Sequence, residues 1–508
     1  MTFKSCIERL ESSGLLLEAH APHSVNIDRL TSDSRTVGSS ECFVALRGRS
    51  VDGHLFIDKA VLNGATSIVC EAGPESGIQE MADGPAWARV KDSRRALAQL
   101  ASLAHEDPGK KLTLIAITGT NGKTTIASVL RDVLESAGLR CGFIGTTGIH
   151  DGVQTLPATH TTPDPLVLHA VLSAMVENGC THCVMEASSH AIDQHRFRLS
   201  DIDVAVFTNL TRDHLDYHGT EEAYLQAKKG LFDALSTTAH AVVNTDDAKA
   251  FTMIADTAAE VTTFGAIGQP DVHVTIEAND ESGLHLTLDG DTRRYLLAGT
   301  YNASNLAASF AAGRALGLER AFLLETLAAH PPVPGRFERL TFQNGRTVIV
   351  DYAHTPDALE NVLLASREAQ KEGSWLWCIF GCGGDRDTGK RPLMGAVAER
   401  RADRVIITSD NPRSEDPDAI MDDVRSGFRQ PGRAIGITDR REAIRYAARL
   451  MRRNDVLVLA GKGHETTQVI GEEVLHFDDR EEARSAFGPE AASSSLSQDR
   501  SATHGAVH

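Results

Sequence analysis

The chain is poor in aromatic residues, 5% of 508 with three tryptophans, so its cores must be built from aliphatic side chains, as layered α/β packing allows. It lacks a basic excess: 51 Lys and Arg stand against 69 Asp and Glu, a formal charge of −18, which excludes a dominant contact to a nucleic-acid backbone. Anionic small molecules stay admissible where Arg and Lys gather locally. The 8 cysteines are scattered without a framework, which excludes a disulfide-stapled scaffold and points to reduced thiols. The one C-x-x-C, Cys180 and Cys183, has no second pair at zinc-ribbon spacing and sits in an apolar strand entry. No run of about 18 apolar residues occurs. The opening MTFKSCIERLESSG carries charge where an export signal needs an apolar stretch. The expectation is a soluble cytoplasmic protein without membrane insertion.

A chain of this length exceeds one ordinary core, so two or three domains are expected. The polar HEDPGKK, residues 105–111, and the PPVPGRFE of 331–338 supply breaks. They divide the chain into 1–108, 109–335 and 336–488, with the Ser/Ala-rich 489–508 as a disordered tail. Short β-branched runs alternate with helical patterns: 183–187, 203–208, 241–244, then 375–380, 404–408 and 456–460. This predicts parallel sheets with crossover helices, whose ligands bind beyond the carboxyl ends of the strands. The fold class is α/β: a small N-terminal α/β domain, a central P-loop ATPase-like parallel sheet and a C-terminal Rossmann-like domain.

The most informative stretch is LTLIAITGTNGKTT, 112–125. Leu112, Leu114, Ile115 and Ile117 read as a strand, and Ile126, Val129, Leu130, Val133 and Leu134 repeat at helical spacing up to Gly138. Between them Gly119, Thr120, Asn121 and Gly122 offer backbone N–H groups to phosphate oxygens at a helix N-terminus. Lys123 would neutralise terminal phosphates, and the hydroxyls of Thr124 and Thr125 follow, Thr124 being placed for Mg²⁺. Ile117 stands where the longer G-x-x-x-x-G-K-[ST] form has glycine, so this is the shorter G-x-x-G-K-T loop. Glu186, after an apolar strand, and His214, in the next strand's loop, are further candidate metal ligands. From composition alone Lys228 and Lys229 are solvated lysines of a helix over 221–235.

GTNGKTT at 119–125, MEASSHAIDQHR at 185–196, TRDHLDYHG at 211–219, Ala227-Lys228, YNASNLAA at 301–308, PGRFE at 334–338 and DYAHTPDALE at 351–360 together resemble the Mur ligase family. Its members attach amino acids to the peptide stem of a cell-wall precursor, and the likeness runs from about residue 30 to 480. It is strongest to members that add meso-diaminopimelate, through TSDSR at 31–35, GRSVDG at 48–53, GCGGDRDTGKRPLMG at 381–395, DNPRSEDP at 410–417 and GKGHE at 461–465. The resemblance implies ATP-driven amide formation through an acyl phosphate, releasing ADP and phosphate, in peptidoglycan precursor synthesis. The small-molecule substrates would be ATP, UDP-N-acetylmuramoyl-L-alanyl-D-glutamate and meso-diaminopimelate, bound by a monomer.

By the same resemblance Lys228 is carbamylated, making it, with Thr124, Glu186 and His214, a ligand for two Mg²⁺. Lys123, Lys228, Glu186 and His214 become the catalytic set, and Asn302, Arg336 and Asp351 join ATP. Ser32, Ser34, Arg49, Ser50 and Val51 would hold the uridine end. His160, Thr161, Thr162, Ser188, Gln194 and Arg196 would hold the muramoyl dipeptide, with His160 departing from the Asn common before the Thr-Thr pair. Arg386, Asp410, Asn411, Pro412, Arg413, Gly461 and Glu465 would bind diaminopimelate, Arg413 and Arg386 clamping carboxylates. Three competing readings are a lysine-adding relative, which generally lacks the DNPR arginine, an ATP-driven switch or motor, and a nucleotide-sugar binder with a decayed site.

Overall fold

The structure is a computed structural model that describes residues 1–21, 24–48, 51–72, 84–280 and 283–491. Arg49 and Ser50, both expected at the uridine end, and residues 492–508 of the expected tail lie outside the described residues. The chain divides into two compact units, one ending at Val333 and the other starting at Pro334.

The first unit holds two sheets. The N-terminal one runs Leu16–His20, Ala86–Val90, Ser67–Cys70, Glu41–Val44, Arg29–Thr31, parallel except for its first pair. At the centre of the larger sheet lie the parallel strands His240–Asn244, Val204–Phe207, Thr113–Thr118, His182–Glu186 and Cys141–Gly145. Thr113–Thr118 is apolar from Leu114 to Ile117 because it is covered on both faces. Ile115 and Ile117 join Ile126, Leu130 and Leu306 in one core, whereas Leu114 and Ala116 join Leu168, Met175 and Phe232 in the other. The edges depart from the expected parallel order. Val272–Asp280, Gly283–Leu288 and Asp291–Tyr295 form antiparallel pairs, as do Cys141–Gly145, Gly148–His150 and Thr155–Leu156. Their residues explain it: Leu284, Leu286 and Leu288 are buried while His285 and Thr287 between them are partly exposed, the alternation of a sheet with one wet face.

The 105–111 segment, read above as a break, is tightly tied. Asp107, with φ 52, accepts hydrogen bonds from Arg9 Nη1 and Nη2 at 2.8 and 2.7 Å, from Ser102 Oγ at 2.8 Å and from Arg198 Nη1 at 3.2 Å. One carboxylate thus joins the first helix, Phe3–Ser12, to the central domain. Its hydrogen bonds to Arg9 hold the Asp107 carboxyl well below the usual carboxylate range. A lowered folded-state pKa stabilises the fold fully above the unfolded value, about 4, and the contribution fades as pH falls through the folded value. Asp107→Asn is therefore expected to cost about 1–3 kcal/mol at neutral pH by stranding two arginines. Melting temperatures of parent and variant should converge on acidification; a gap unchanged between neutral and strongly acidic pH would exclude this role.

The second unit carries the sheet Glu338–Thr341, Thr347–Asp351, Val456–Ala460, Leu376–Phe380, Arg404–Ile407, Ala434–Gly436, parallel after its first pair. Residues 489–491, placed above in the tail, run beside its edge, where Ala491 N donates to Thr341 O at 2.8 Å. All 8 cysteines are buried and unbridged, and burial pushes the thiols of Cys6, Cys42, Cys70, Cys141, Cys378 and Cys382 up to about 12. No described helix is long and apolar enough to cross a membrane.

Candidate active site

The strand Thr113–Thr118 delivers the chain to the phosphate loop, and the helix Lys123–Ser136 leaves it. Gly119 and Gly122 have φ of 147° and 89°. A Cβ at 119 would overlap Thr208 Oγ1, and one at 122 would stand 2.5 Å from Asn305 Oδ1, so both positions demand glycine twice over. The loop is braced by its neighbours. Thr208 Oγ1 donates to Asn121 O at 2.6 Å, Asn121 N to Asn209 Oδ1 at 2.9 Å, and Thr120 Oγ1 to Thr211 O at 3.1 Å. Thr208, Asn209 and Asn305 escaped the sequence reading, although TNLT at a strand's carboxyl end was the available signal. Lys123 Nζ donates to Gly119 O at 2.9 Å and Thr120 O at 2.8 Å, curled over its own loop.

Glu186 closes the adjacent strand and is 1% exposed. Its Oε2 accepts from Thr124 Oγ1 at 2.9 Å, and its Oε1 accepts from Thr146 N at 2.9 Å and Thr146 Oγ1 at 3.0 Å. No lysine or arginine pairs with it among the described residues, so a buried carboxylate is balanced by hydrogen bonds alone. His214 has the left-handed φ of 53°, unusual without glycine, and its ring packs edge-on against His190 at 4.8 Å. Burial pushes its imidazole down to about 3 despite Asp213, 3.5 Å from Nε2.

Lys228 overturns the composition-based expectation of a solvated helix lysine: it is 1% exposed. Its Nζ donates to Gly119 O at 2.9 Å, the carbonyl Lys123 also uses, and lies 4.7 Å from the Tyr224 ring centre. Burial, and then Lys123, push its ammonium well below the ordinary lysine value. Lys229 is also buried, but between Asp233 and Asp256, each at 2.5 Å. Among the described residues no three His, Cys, Asp or Glu converge on a metal position. The loop instead gathers a carboxylate, an imidazole, a hydroxyl and a buried amine. That donor set fits a cation once the amine becomes an oxyanion.

A second network adjoins Glu186. Thr162 is fully buried, and its hydroxyl donates to Glu186 O at 2.6 Å and approaches Ser188 Oγ at 3.3 Å. Arg196 Nη1 donates to Thr162 O at 2.6 Å while its Nε and Nη2 reach Gln194 Oε1, and Gln194 Nε2 donates to Tyr217 Oη at 3.0 Å. Thr162, Ser188, Gln194 and Arg196 are thereby one assembly. Thr125 is buried beside Thr124, and Asn302 is fixed by Ala298 O and by Asn305 Nδ2 at 2.6 and 2.7 Å. His160 is exposed, with Nδ1 3.3 Å from Thr159 Oγ1, and Thr161 is half-buried. In the N-terminal sheet region Ser32 and Val51 are exposed, and Ser34 O accepts from Asn63 Nδ2 at 2.8 Å.

Arg336 and Asp351 belong to the second unit. Asp351 accepts from Phe337 N at 2.7 Å and Ala353 N at 2.8 Å, and the Arg336 guanidinium lies 4.4 Å over the Tyr352 ring. The remaining candidates cluster beyond this sheet's carboxyl ends. Arg413 holds φ 52, its N donates to Val469 O at 3.1 Å, its O accepts from Gly471 N at 2.7 Å, and its Nη1 donates to Gly384 O at 2.8 Å. Pro412 is buried, and a Cβ at Gly384 would overlap its carbonyl. Arg386 is exposed, with Nη1 on Asp385 O at 2.8 Å. Asp410 Oδ1 accepts from Asn411 N at 2.7 Å, and Asn411 Nδ2 donates to Glu465 Oε2 at 3.0 Å. Gly461, at φ 111, lets the chain pass Asp410.

Three family models match in chain order: the Mur ligase family catalytic domain at 26–105, the Mur ligase middle domain at 117–313 and the Mur ligase glutamate ligase domain at 335–463. A UDP-N-acetylmuramoyl-L-alanyl-D-glutamate–2,6-diaminopimelate ligase of Parabacteroides distasonis is 42% identical, over 96% of this chain and 99% of its own. The chain belongs to the Mur ligase family. A ligase of the same name from Geobacillus kaustophilus is 44% identical over 93% of this chain and 98% of its own. Among solved structures, one bearing that name is 37% identical with a TM-score of 0.63, covering 91% of this chain and 94% of that one. The MurF ligase of Thermotoga maritima, solved with ADP, shares the Mur ligase fold at 20% identity and a TM-score of 0.59, covering 90% of this chain and 96% of that one.

Proposed function

We propose that this Mur ligase is the ATP-dependent ligase that adds meso-diaminopimelate to the D-glutamate of UDP-N-acetylmuramoyl-L-alanyl-D-glutamate, in peptidoglycan precursor synthesis. The observation that carries this reading is near-full-length identity of 40% and more to ligases of that name, joined to an arginine, Arg413, held by the chain on both sides. The γ-carboxylate of D-glutamate takes the γ-phosphoryl group of ATP, giving an acyl phosphate and ADP. The diaminopimelate amine then attacks the acyl carbon, and phosphate leaves.

In our reading the three substrates are distributed over domains 1–108, 109–335 and 336–488, as the three family models are. The loop N–H groups and Lys123 bind the nucleotide's phosphates, and Asn302 and, in the second unit, Arg336 and Asp351 are assigned to ATP. Ser32, Ser34, Arg49, Ser50 and Val51 take the uridine end, and the Thr162–Ser188–Gln194–Arg196 assembly with His160 and Thr161 takes the dipeptide, placing its carboxylate for in-line attack. Two Mg²⁺, when bound to Thr124, Glu186, His214 and carbamylated Lys228, would spread the negative charge of the transferring phosphoryl group. The burial of Lys228 and the lowering of its ammonium support carbamylation, because only an unprotonated amine adds CO₂. Arg413 and Arg386 pair with carboxylates of the incoming amino acid, and Asp410, Asn411, Pro412, Gly461 and Glu465 line the rest. We place the enzyme in the cytoplasm, where its nucleotide substrates are made, as a monomer.

The test is phosphate release with ATP, Mg²⁺ and the UDP-dipeptide, comparing meso-diaminopimelate, L-lysine and no amino acid. Release with diaminopimelate alone is expected. Release with lysine would leave a ligase with a different pocket, and release without either would favour an ATP-driven switch.

A further inference from the structure

The GKGHE segment contains a lysine to which no role has been given above. Lys462 is fully buried, 0% exposed, yet its ammonium reaches three residues, two on its own loop and one on the 410–413 segment. Nζ donates to Thr467 O at 2.6 Å, to Glu465 Oε2 at 3.1 Å and to Asn411 Oδ1 at 3.4 Å. Asn411 is then oriented: its Oδ1 also accepts from Val469 N at 3.0 Å, and its Nδ2 turns to Glu465 Oε2. Both side-chain bonds to Glu465 land on Oε2, and Oε1 accepts none among the described residues. Beneath the segment Arg440, also buried, pairs with Asp479 at 2.7 and 2.8 Å and donates to Ala460 O at 3.0 Å.

We propose that Lys462 is a positioning residue for the incoming amino acid, fixing Glu465 and Asn411 so that Glu465 is held by one oxygen with the other left for the substrate's ammonium. This rests on reading the Asp410–Glu465 cluster as the amino-acid pocket. The charged groups around Glu465 are Asp410 and Lys462, with Arg440 behind and neutralised by Asp479. Two carboxylates suit an ammonium but repel each other, and a buried ammonium on one of them offsets part of that repulsion. Burial and Asp410 hold the Glu465 carboxyl above its ordinary value, and Lys462 and Asn411 limit that rise.

Lys462→Met and Lys462→Gln test this, the glutamine keeping a donor without the charge. Each should raise KM for meso-diaminopimelate by about thirtyfold or more with KM for ATP near the parent's, as when one partner of a buried charged pair is truncated. Without the ammonium Glu465 ionises at higher pH, so kcat/KM for diaminopimelate should acquire a limb rising with pH that the parent lacks over the same range. Glu465→Gln is the control. If it raises KM for diaminopimelate while folded Lys462 variants keep the parent's KM and profile, the positioning role is overturned and the pocket stands. If Glu465→Gln leaves that KM unchanged, the pocket reading falls and the proposal with it. If neither Lys462 variant folds, the lysine serves the fold alone and the proposal is likewise overturned.

Discussion

Lys228→Ala should lower kcat by about a thousandfold, the scale of losing a group that stabilises developing transition-state charge. A small carboxylic acid such as acetate should restore part of the rate. The physical basis is the crowding of two lysine nitrogens on one carbonyl: Lys123 and Lys228 each donate to Gly119 O at 2.9 Å. Lys123 disfavours a second positive charge there, and a carbamate on Lys228 would replace it with a negative one, supplying the oxygens that a cation beside Glu186 needs. Truncation to alanine leaves a cavity at the same place, open to a carboxylate from solution. A ¹³C-bicarbonate label should give a carbamate resonance in the parent and none in the variant. Full activity of Lys228→Ala without added acid, or rescue by amines as well as by acids, would remove the carbamate role.

Arg413→Ala should cut kcat/KM for meso-diaminopimelate by about a hundredfold or more, because a site built around a charged, planar donor loses its pairing when the partner is missing. KM for ATP should hardly move, and the preference over L-lysine should shrink. Arg413→Lys should fail nearly as badly, since one ammonium cannot replace a guanidinium fork. The left-handed backbone at this position offers a separate control. Arg413→Gly relieves the strain of φ 52 while deleting the same side chain, so a loss shared by the Ala and Gly variants belongs to the guanidinium. Equal catalytic efficiency for diaminopimelate in Arg413→Ala and the parent would withdraw the clamp.

The parallel strands and the phosphate loop were legible in sequence because periodicity and glycine placement are local signals. Val456–Ala460 and Thr347–Asp351 lie where their apolar runs place them. The antiparallel edges were less visible, since short strands in edge hairpins carry little pattern each. Burial of Lys228 could not be read from composition: Lys228 and Lys229 are adjacent, equally long and equally basic, and only tertiary packing puts one against a loop carbonyl and the other between two aspartates. The same holds for Lys462, whose flanking glycines resemble any loop until Asn411 and Glu465 are brought to it. Positive φ at His214 and Arg413 was also hidden, because nothing in those side chains demands it and the surrounding hydrogen bonds impose it. Thr162 was named for a ligand, and the structure shows its hydroxyl committed to Glu186 O.

The burial of every cysteine makes the chain its own unfolding gauge. An alkylating reagent should find no target in the native protein and 8 in the denatured one. Their positions divide usefully: Cys6, Cys42 and Cys70 precede the phosphate loop, Cys141, Cys180 and Cys183 lie in the central sheet region, and Cys378 and Cys382 lie in the second unit. The order in which peptides acquire label during slow denaturation therefore reports which part opens first, without a single engineered probe.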